Sequence, residues 1–389
     1  MPGYEVFGEE ERRAINELFD ANGGVLFAHG FDALRKGIYK VREFEAAAAK
    51  KFAVAHAQAV SSGTAALRIA LAALGIGRGD DVIIPAFTFV ATAEAVIQAG
   101  ASLVVDDVDE SLNIDPNAIE AAITPATRSI IAVHMLGAPA DMEAIGRIAH
   151  KHGLKVIEDA AQAVGGSYRG RYLGTLGDAG CFSFDAGKVM ITGEGGMVVT
   201  NDYGTFEKAR AYHDHGHEYS TTVGRGEEGA IGEGFNYRMT ELQGAIGIVQ
   251  LGKLDSIVNA QRQNKAKLTA LIGELGIRGR RINDEAGELG DAVVMFFDDR
   301  QTSARFLAGL KREGLGTKNV PDAMRWHFAK HWSHMFEKYG WYRDSYRTQW
   351  QRSADILECA IALPVMVKMD DARISLIGEK LQKIVREVL

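Results

Sequence analysis

Cysteines, prolines and long apolar runs are scarce in this chain of 389 residues. It has two cysteines and seven prolines, which is too few thiols for a disulfide framework or a four-thiolate metal site. No apolar stretch reaches the ~20 residues that a membrane helix needs, and the N-terminus has no charged-then-apolar targeting pattern. We therefore expect a cytoplasmic protein without a membrane partner.

A basic excess is missing as well. The net charge is −7 at pH 7 and the sequence pI is about 5.9. The chain as a whole is therefore unsuited to binding nucleic acid or an anionic surface. Any anionic ligand must be held by a local site, and we expect the partners to be small molecules.

Strand-like and helix-like patterns alternate from about residue 60 to residue 250. Short runs rich in valine and isoleucine predict strands at 81–85, 102–105, 129–133, 155–157, 181–184 and 197–200. Helical patterns lie between them, at 65–74, 91–98, 116–122, 142–152 and 205–212. This alternation predicts an α/β fold in which a mostly parallel central sheet is covered by helices on both faces. Ligands of such sheets bind beyond the carboxyl ends of the strands.

The chain is too long for one compact core, so its length predicts at least two domains. A long helical pattern at about 241–275 predicts a bridge between them. We expect a large domain over residues 1–250, with a helical N-terminal segment, and a smaller domain of mixed α and β structure over residues 251–389.

The first feature with chemical meaning is the turn around Ser62, Gly63 and Thr64, between a strand-like run and a helix. Backbone amides at a helix N-terminus, together with the positive end of the helix dipole, bind phosphate readily. An ordinary helix cap would account for the same residues.

The second feature is the pair Glu158 and Asp159 at the end of an apolar strand. A carboxylate held against a pyridine nitrogen keeps that ring protonated, and a protonated ring withdraws electrons from an adjacent carbanion. An acidic strand end that caps the following helix is the alternative.

The third feature is Lys188, which follows a short aromatic strand and precedes the glycine-rich turn Gly193 to Gly196. A lysine amine attacks an aldehyde only when it is deprotonated, and partial burial favours that state. Most lysines are solvated surface residues, which is the alternative here.

In this order the three features resemble fold-type-I enzymes that depend on pyridoxal 5′-phosphate (PLP), specifically the DegT/StrS-like sugar aminotransferases. The resemblance covers the chain from Gly3 to about residue 275. The motifs that carry it are Ser62 to Thr64, Pro85 to Thr92, Glu158 to Gln162, Ser183 to Lys188 with Gly193 to Gly196, and Gly234 to Met239. Relatives often have an aromatic residue or histidine, and a proline, between the serine and the lysine; Phe184-Asp185-Ala186-Gly187 departs from that pattern.

The resemblance implies a role for each matching residue. Lys188 would be the Schiff-base lysine and the acid/base that moves the substrate proton, and Asp159 would pair with the pyridine nitrogen. The other residues implied to contact the cofactor are Gln162 at the phenolic oxygen, Phe89 on the ring face, and Ser62, Gly63, Thr64 and Ser183 at the phosphate. Asn236 would reach the phosphate from the neighbouring subunit, which implies a homodimer with shared active sites. Glutamate would be the amino donor, although glutamine remains open, and a keto- or aldehydo-sugar the acceptor.

A narrower resemblance points to the enzymes that make 8-amino-3,8-dideoxy-octulosonate, an acid sugar of lipopolysaccharide. It rests on the segments 1–5, 24–27, 213–217 and 326–327. The residues it implies near the substrate are His215, His217, Arg238, Trp326 and His327. The His213-x-His215-x-His217 pattern could also form a metal site, but no fourth ligand is evident nearby, and we expect no metal.

Three other functions are weighed against aminotransfer. A sugar dehydratase of the same fold would have histidine in place of Lys188. A sensor or scaffold without activity would have no need of Lys188, Asp159 and Ser183 together. Desulfuration needs an accessible cysteine, and the pattern around Cys181 predicts a buried strand, where thiols are generally inert.

Overall fold

A computed structural model describes residues 2–339 and 349–389 of the chain. The helices are α1 (Pro2–Glu5), α2 (Glu9–Asn22), α3 (Lys40–Phe52), α4 (Gly63–Ala73), α5 (Ala91–Gln98), α6 (Pro116–Ala122), α7 (Met142–His152), α8 (Tyr203–Tyr212), α9 (Glu241–Glu274), α10 (Arg300–Arg312), α11 (Met324–His327), α12 (Ser333–Lys338), α13 (Gln351–Glu358) and α14 (Asp371–Val388). The strands are β1 (His56–Val60), β2 (Asp81–Pro85), β3 (Ser102–Asp106), β4 (Thr127–Val133), β5 (Lys155–Asp159), β6 (Ser167–Tyr168), β7 (Arg171–Tyr172), β8 (Ala179–Ser183), β9 (Gly196–Thr200), β10 (Arg278–Gly279), β11 (Ala292–Phe296) and β12 (Ala360–Pro364).

Seven strands form the central sheet, in the order β1-β9-β8-β5-β4-β2-β3. The neighbours from β8 to β3 pair in parallel, whereas β9 is antiparallel to both β1 and β8. The strands are apolar on both faces because helices cover both faces. The expected mostly parallel sheet between helices is confirmed. The alternation of strands and helices along the sequence did not reveal that β9 runs antiparallel to its neighbours.

Two apolar cores lie on opposite faces of this sheet. One contains residues of α4 and α5, and the other contains residues of α3, α7 and the first half of α9. In the second core, Phe44 of α3 meets Phe184, just beyond β8, with ring centroids 5.5 Å apart. This contact anchors the backbone immediately ahead of Lys188.

A smaller antiparallel sheet, β10-β11-β12, lies after α9. Along β11, Val293 and Met295 join a core with α10 and α14, whereas Ala292, Val294 and Phe296 join a core of the large sheet. Side chains alternate along a strand, so β11 packs on both units at once. This packing brings the residues just before β11 and beside β12 to the edge of the large sheet.

The 34-residue helix α9 links the two units. The expected boundary between residues 250 and 251 falls inside this helix, which contributes to a core at each end. The division into domains of residues 1–250 and 251–389 therefore stays a proposal, with α9 shared between them. Within residues 2–339 and 349–389, no helix combines the length and apolar character that a membrane crossing requires.

Candidate active site

A cavity of about 450 Å³ lies at the carboxyl ends of the parallel strands. Most of the site residues expected from the sequence line it: Ser62, Gly63, Thr64, Phe89, Asp159, Gln162, Ser183, Lys188 and His327. They come from separate loops because each strand of a parallel sheet delivers its own carboxyl-end loop to one edge.

The N-terminus of α4 forms one wall. Ser62 caps the helix, since its Oγ accepts a hydrogen bond from the Ala65 amide at 3.1 Å. The amides of Gly63 and Thr64 occupy the first two helical positions, where no intrahelical acceptor exists. A Cβ on Gly63 would lie 2.7 Å from Ser183 Cβ, so only glycine lets this turn approach the serine. The helix cap is therefore observed, and it leaves the amides of Gly63 and Thr64 available to a ligand.

Asp159 forms the floor of the cavity. It is 6% exposed, and its Oδ2 and Oδ1 accept hydrogen bonds from the Thr92 hydroxyl at 2.8 Å and the Ala161 amide at 3.1 Å. Burial raises the pKa of Asp159, while these two donors and the charge of Lys188 act in the opposite direction. A carboxylate in such surroundings is stabilised by a cationic partner in the cavity.

Glu158 is turned away from the cavity. Its carboxylate accepts three backbone amides of loop 174–177, at 2.5 to 2.8 Å, and lies 3.0 Å from His134 Nε2. The Ala140 amide donates to His134 Nδ1, so the ring proton is on Nε2 and is donated to Glu158. This acid therefore organises a buried loop, and Asp159 is the member of the pair available for chemistry.

Lys188 enters from the loop beyond β8. Its Nζ lies 3.4 Å from Asp185 Oδ2, and its side chain is 19% exposed. Asp185 also holds the turn, because its Oδ1 accepts the Gly187 amide at 2.6 Å. Asp185, which belongs to the stretch that departs from the pattern of the relatives, thus contacts Lys188 directly.

Phe89 and His327 form the opposite wall, with ring centroids 5.3 Å apart. Phe89 is 44% exposed at the cavity. Burial, with the charge of Lys188, lowers the pKa of His327, so the ring is neutral. His327 Nδ1 lies 2.9 Å from the Ala323 carbonyl and must donate to it. The lone pair is therefore on Nε2.

Gln162 is oriented by two donors. Its Oε1 accepts the Leu136 amide at 3.1 Å and lies 3.4 Å from Asn319 Nδ2. With the oxygen used in this way, the amino group Nε2 is the remaining donor of the side chain.

The cavity residues that sequence reasoning did not assign to the site include Thr92, Asp291, Lys318 and Asn319. Thr92 lies within the motif Pro85 to Thr92, which could have identified it as a site residue. The other three come from the smaller domain, more than a hundred positions after Lys188, where no local pattern marks them.

The remaining expected residues lie elsewhere on this chain. Asn236 and His215 are exposed, and Trp326 is 60% exposed. Arg238 lines a second cavity of about 570 Å³, where its Nη1 contacts Asp214 Oδ1 at 2.5 Å.

The histidines at 213, 215 and 217 do not share a face. His213 is buried at the end of α8, His215 has a φ of 55°, and His217 Nδ1 pairs with Glu228 at 2.7 Å. The segment is therefore not a strand, which is why the alternation of histidines does not converge. Among the described residues, no group of three or more His, Cys, Asp or Glu side chains is arranged to hold a metal.

The cavity fits PLP in size and in its donors. It combines a turn that a Cβ would fill, free amides at a helix N-terminus, a buried acid and an amine. Together with the sheet topology, these features define the class of fold-type-I PLP-dependent enzymes.

The profile of the DegT/DnrJ/EryC1/StrS aminotransferase family matches residues 31–382. The chain belongs to this family, whose members depend on PLP. The family and the cofactor expected from the sequence are confirmed.

Three similar proteins support the assignment. The chain is 42% identical to the GDP-perosamine synthase of Caulobacter vibrioides over 241 residues, which cover 61% of this chain and 62% of that protein. It is 36% identical to the spore coat polysaccharide biosynthesis protein SpsC of Bacillus subtilis, over 80% of each chain. The crystal structure of an aminotransferase from Psychrobacter cryohalolentis has a TM-score of 0.86 at 27% identity and covers 98% of both chains. The match thus spans less than two thirds of the Caulobacter relative and nearly all of the Psychrobacter structure.

Proposed function

We propose that this protein transfers an amino group from glutamate to a keto- or aldehydo-sugar. The observation that carries the proposal is that Lys188 and Asp159 line one cavity with the turn Ser62 to Thr64, at the N-terminus of α4. Bound PLP supplies an electron sink for the carbon that loses a proton. The residues around it decide where that proton goes.

Lys188 performs two tasks in this proposal. Its Nζ would hold the cofactor covalently. The same Nζ, when free, would accept and return the proton of the donor's α-carbon. Asp185, 3.4 Å away, keeps this amine directed into the cavity.

Asp159 would hold the pyridine nitrogen in its protonated state. Its own hydrogen bonds to Thr92 and Ala161 fix the carboxylate in one orientation. A positively charged partner beside Asp159 would be favoured, because burial disfavours an unpaired carboxylate charge.

The other lining residues position the cofactor. Gln162 Nε2 would donate a hydrogen bond to the phenolic oxygen, and Phe89 would pack against the ring. The amides of Gly63 and Thr64 and the hydroxyl of Ser183 would bind the phosphate, while Ser62 fixes the start of helix α4.

Asn236 and Arg238 contribute, in this proposal, to the active site of a partner subunit, so a homodimer is the functional unit. Their position outside this chain's own cavity supports that reading. His215, His217 and Trp326 are assigned to the same substrate-facing surface, and His327 Nε2 accepts a hydrogen bond from the sugar.

The specific sugar that we propose is an eight-carbon acid sugar aminated to 8-amino-3,8-dideoxy-octulosonate for lipopolysaccharide. The segments 213–217 and 326–327 support it. A second candidate is a nucleotide-linked sugar, because a similar protein is named a GDP-perosamine synthase. A sensor without activity is the third, and it would bind cofactor without turning over.

Each half of the transfer can be followed separately. Glutamate should bleach the visible band of the PLP-loaded protein and yield 2-oxoglutarate, and a true acceptor should restore the band. Adding the 8-aldehydo acid sugar and a GDP-4-keto-sugar in parallel distinguishes the two candidates. A band that glutamate and glutamine both leave unchanged would rule out aminotransfer and favour the sensor.

A further inference from the structure

Two side chains of opposite charge reach the cavity from the smaller domain. Lys318 Nζ lies 2.5 Å from Asp291 Oδ1, and the side chains are 22% and 5% exposed. Both residues line the cavity. Neither is among the residues proposed to hold the cofactor, so their function remains to be explained.

The backbone around Lys318 is attached to β12. The Lys318 amide donates to the Ala362 carbonyl at 2.8 Å, and the Ala362 amide donates to the Val320 carbonyl at 3.0 Å. Asn319, between them, has a φ of 64°, and its Nδ2 reaches Gln162 Oε1 at 3.4 Å. The cation is therefore held on a fixed segment, at the same end of the cavity as Gln162.

A cluster of charged side chains lies behind Lys318. Two cations, the buried Arg280 and the partly buried Lys265, both pair with Glu288, and both are affected by the charge of Asp291. With Lys318 this group has three cations and two carboxylates. The cavity itself is lined by the carboxylates of Asp159, Asp185, Glu194 and Asp291, so an anionic ligand needs a direct cationic partner such as Lys318.

Within the described part of the chain, the lysines that line the cavity are Lys188 and Lys318, and no arginine does so. Lys188 is engaged with the cofactor in the proposed function. His327 is neutral, because its pKa is lowered. Lys318 is therefore the cation available to a substrate on this chain's side of the site.

We propose that Lys318, held in place by Asp291, binds a carboxylate of the substrate. The inference rests on the proposed function, in which donor and acceptor occupy the cavity in turn. The carboxylate can come from the amino donor or from an acid sugar. A charge-assisted hydrogen bond in a half-buried site has the strength to select for either.

Titration calorimetry on the full-length PLP-loaded protein tests this with two unreactive probes. Glutarate resembles the donor without its amine, and 3-deoxy-octulosonate is an acid sugar without the carbonyl that accepts the amine. Lys318→Met should weaken binding roughly ten- to a hundredfold, whereas Lys318→Arg should keep it within a few-fold. The matched control is Lys311→Met, which removes an exposed lysine that contacts Asp322 at 3.8 Å and should change nothing.

Removing Lys318 alone leaves Asp291 buried without its partner, which can destabilise the fold. The double variant Lys318→Met/Asp291→Asn removes both charges and should show the same loss of binding. Weaker binding of glutarate alone identifies the donor as the source, weaker binding of octulosonate alone identifies the sugar, and loss of both indicates a shared site.

Unchanged affinities for both probes in the Lys318 variants, or no binding by the wild type, would overturn the inference. Conversion of glutamate to 2-oxoglutarate is measured on the same wild-type preparation. Its absence would count against the proposed function, whatever the titrations show.

Discussion

Glu158 and Asp159 are neighbours in the chain but serve opposite sides of strand β5. The Glu158 carboxylate closes a buried loop through three backbone amides, whereas the Asp159 carboxylate lines the cavity with Lys188. The alternation of side chains along a strand explains the separation. Two acids of equal charge therefore have different consequences when they are replaced.

Asp159→Asn should lower aminotransfer by roughly a hundredfold or more, because it removes the charge that is proposed to keep the pyridine nitrogen protonated. Its melting temperature should stay near that of the wild type. The matched variant Glu158→Gln should instead lose about 1–3 kcal/mol of folding free energy, since its amide cannot accept three hydrogen bonds equally well. Single-turnover rates and thermal unfolding separate the two effects, and the reverse pattern would show that the roles are exchanged.

Gly63→Ala should weaken cofactor binding at least tenfold. The new methyl would lie 2.7 Å from Ser183 Cβ and would push apart the turn and the serine that are proposed to hold the phosphate. Ser62→Ala is the control: it removes the helix cap, which costs about 1 kcal/mol of stability, and leaves the turn in place. Equal cofactor affinities in Gly63→Ala and the wild type, by fluorescence titration of the apo-protein, would exclude this site for the phosphate.

A third prediction concerns pH and stability. Burial raises the pKa of Glu45 to about 8, from an ordinary value of 4.5. Protonated Glu45 therefore contributes its full stability below the ordinary pKa of 4.5. This contribution is lost as the pH rises toward 8.

Glu45→Gln mimics the protonated acid at every pH. The melting temperature of this variant should exceed that of the wild type by an amount that grows between pH 5 and pH 8. Glu43→Gln, on the exposed side of the same helix, should show little such change. A constant difference for Glu45→Gln across this range would contradict the raised pKa.

The proposed sharing of active sites between subunits predicts complementation between two impaired chains. A hybrid dimer of Lys188→Ala and Asn236→Ala chains, purified through two different tags, should have about half of the wild-type activity, since one of its two sites regains both residues. Each parent dimer should be impaired. A hybrid no more active than half of the Asn236→Ala parent would show that Asn236 serves its own chain.

Local patterns were sufficient to predict much of the large domain. The helices expected at 91–98, 116–122 and 142–152 have those bounds, because their apolar faces repeat with the helical period and are read within one segment. The orientation of β9 was not evident, since a strand's direction depends on how the chain returns to the sheet.

The lining of the cavity was predictable where a residue belongs to a motif at a strand end, as with Gly63, Asp159 and Lys188. It was not predictable where the smaller domain folds back onto the cavity. Lys318 reaches it through backbone hydrogen bonds with Ala362 of β12, a contact between distant parts of the chain. The pair Glu158 and Asp159 was predictable only in part. The alternation of side chains along a strand predicts that two neighbours point to opposite faces, but it does not predict which of them lines the cavity.

The most direct test of the account is to find the amine that holds the cofactor. The PLP-loaded protein is reduced with borohydride and digested, and the modified peptide is located by mass spectrometry. The account predicts that the reduced cofactor is attached to Lys188, and that Lys188→Ala binds PLP without forming this adduct and transfers no amine. Attachment to another lysine, or a Lys188→Ala variant that turns over glutamate at the wild-type rate, would contradict it.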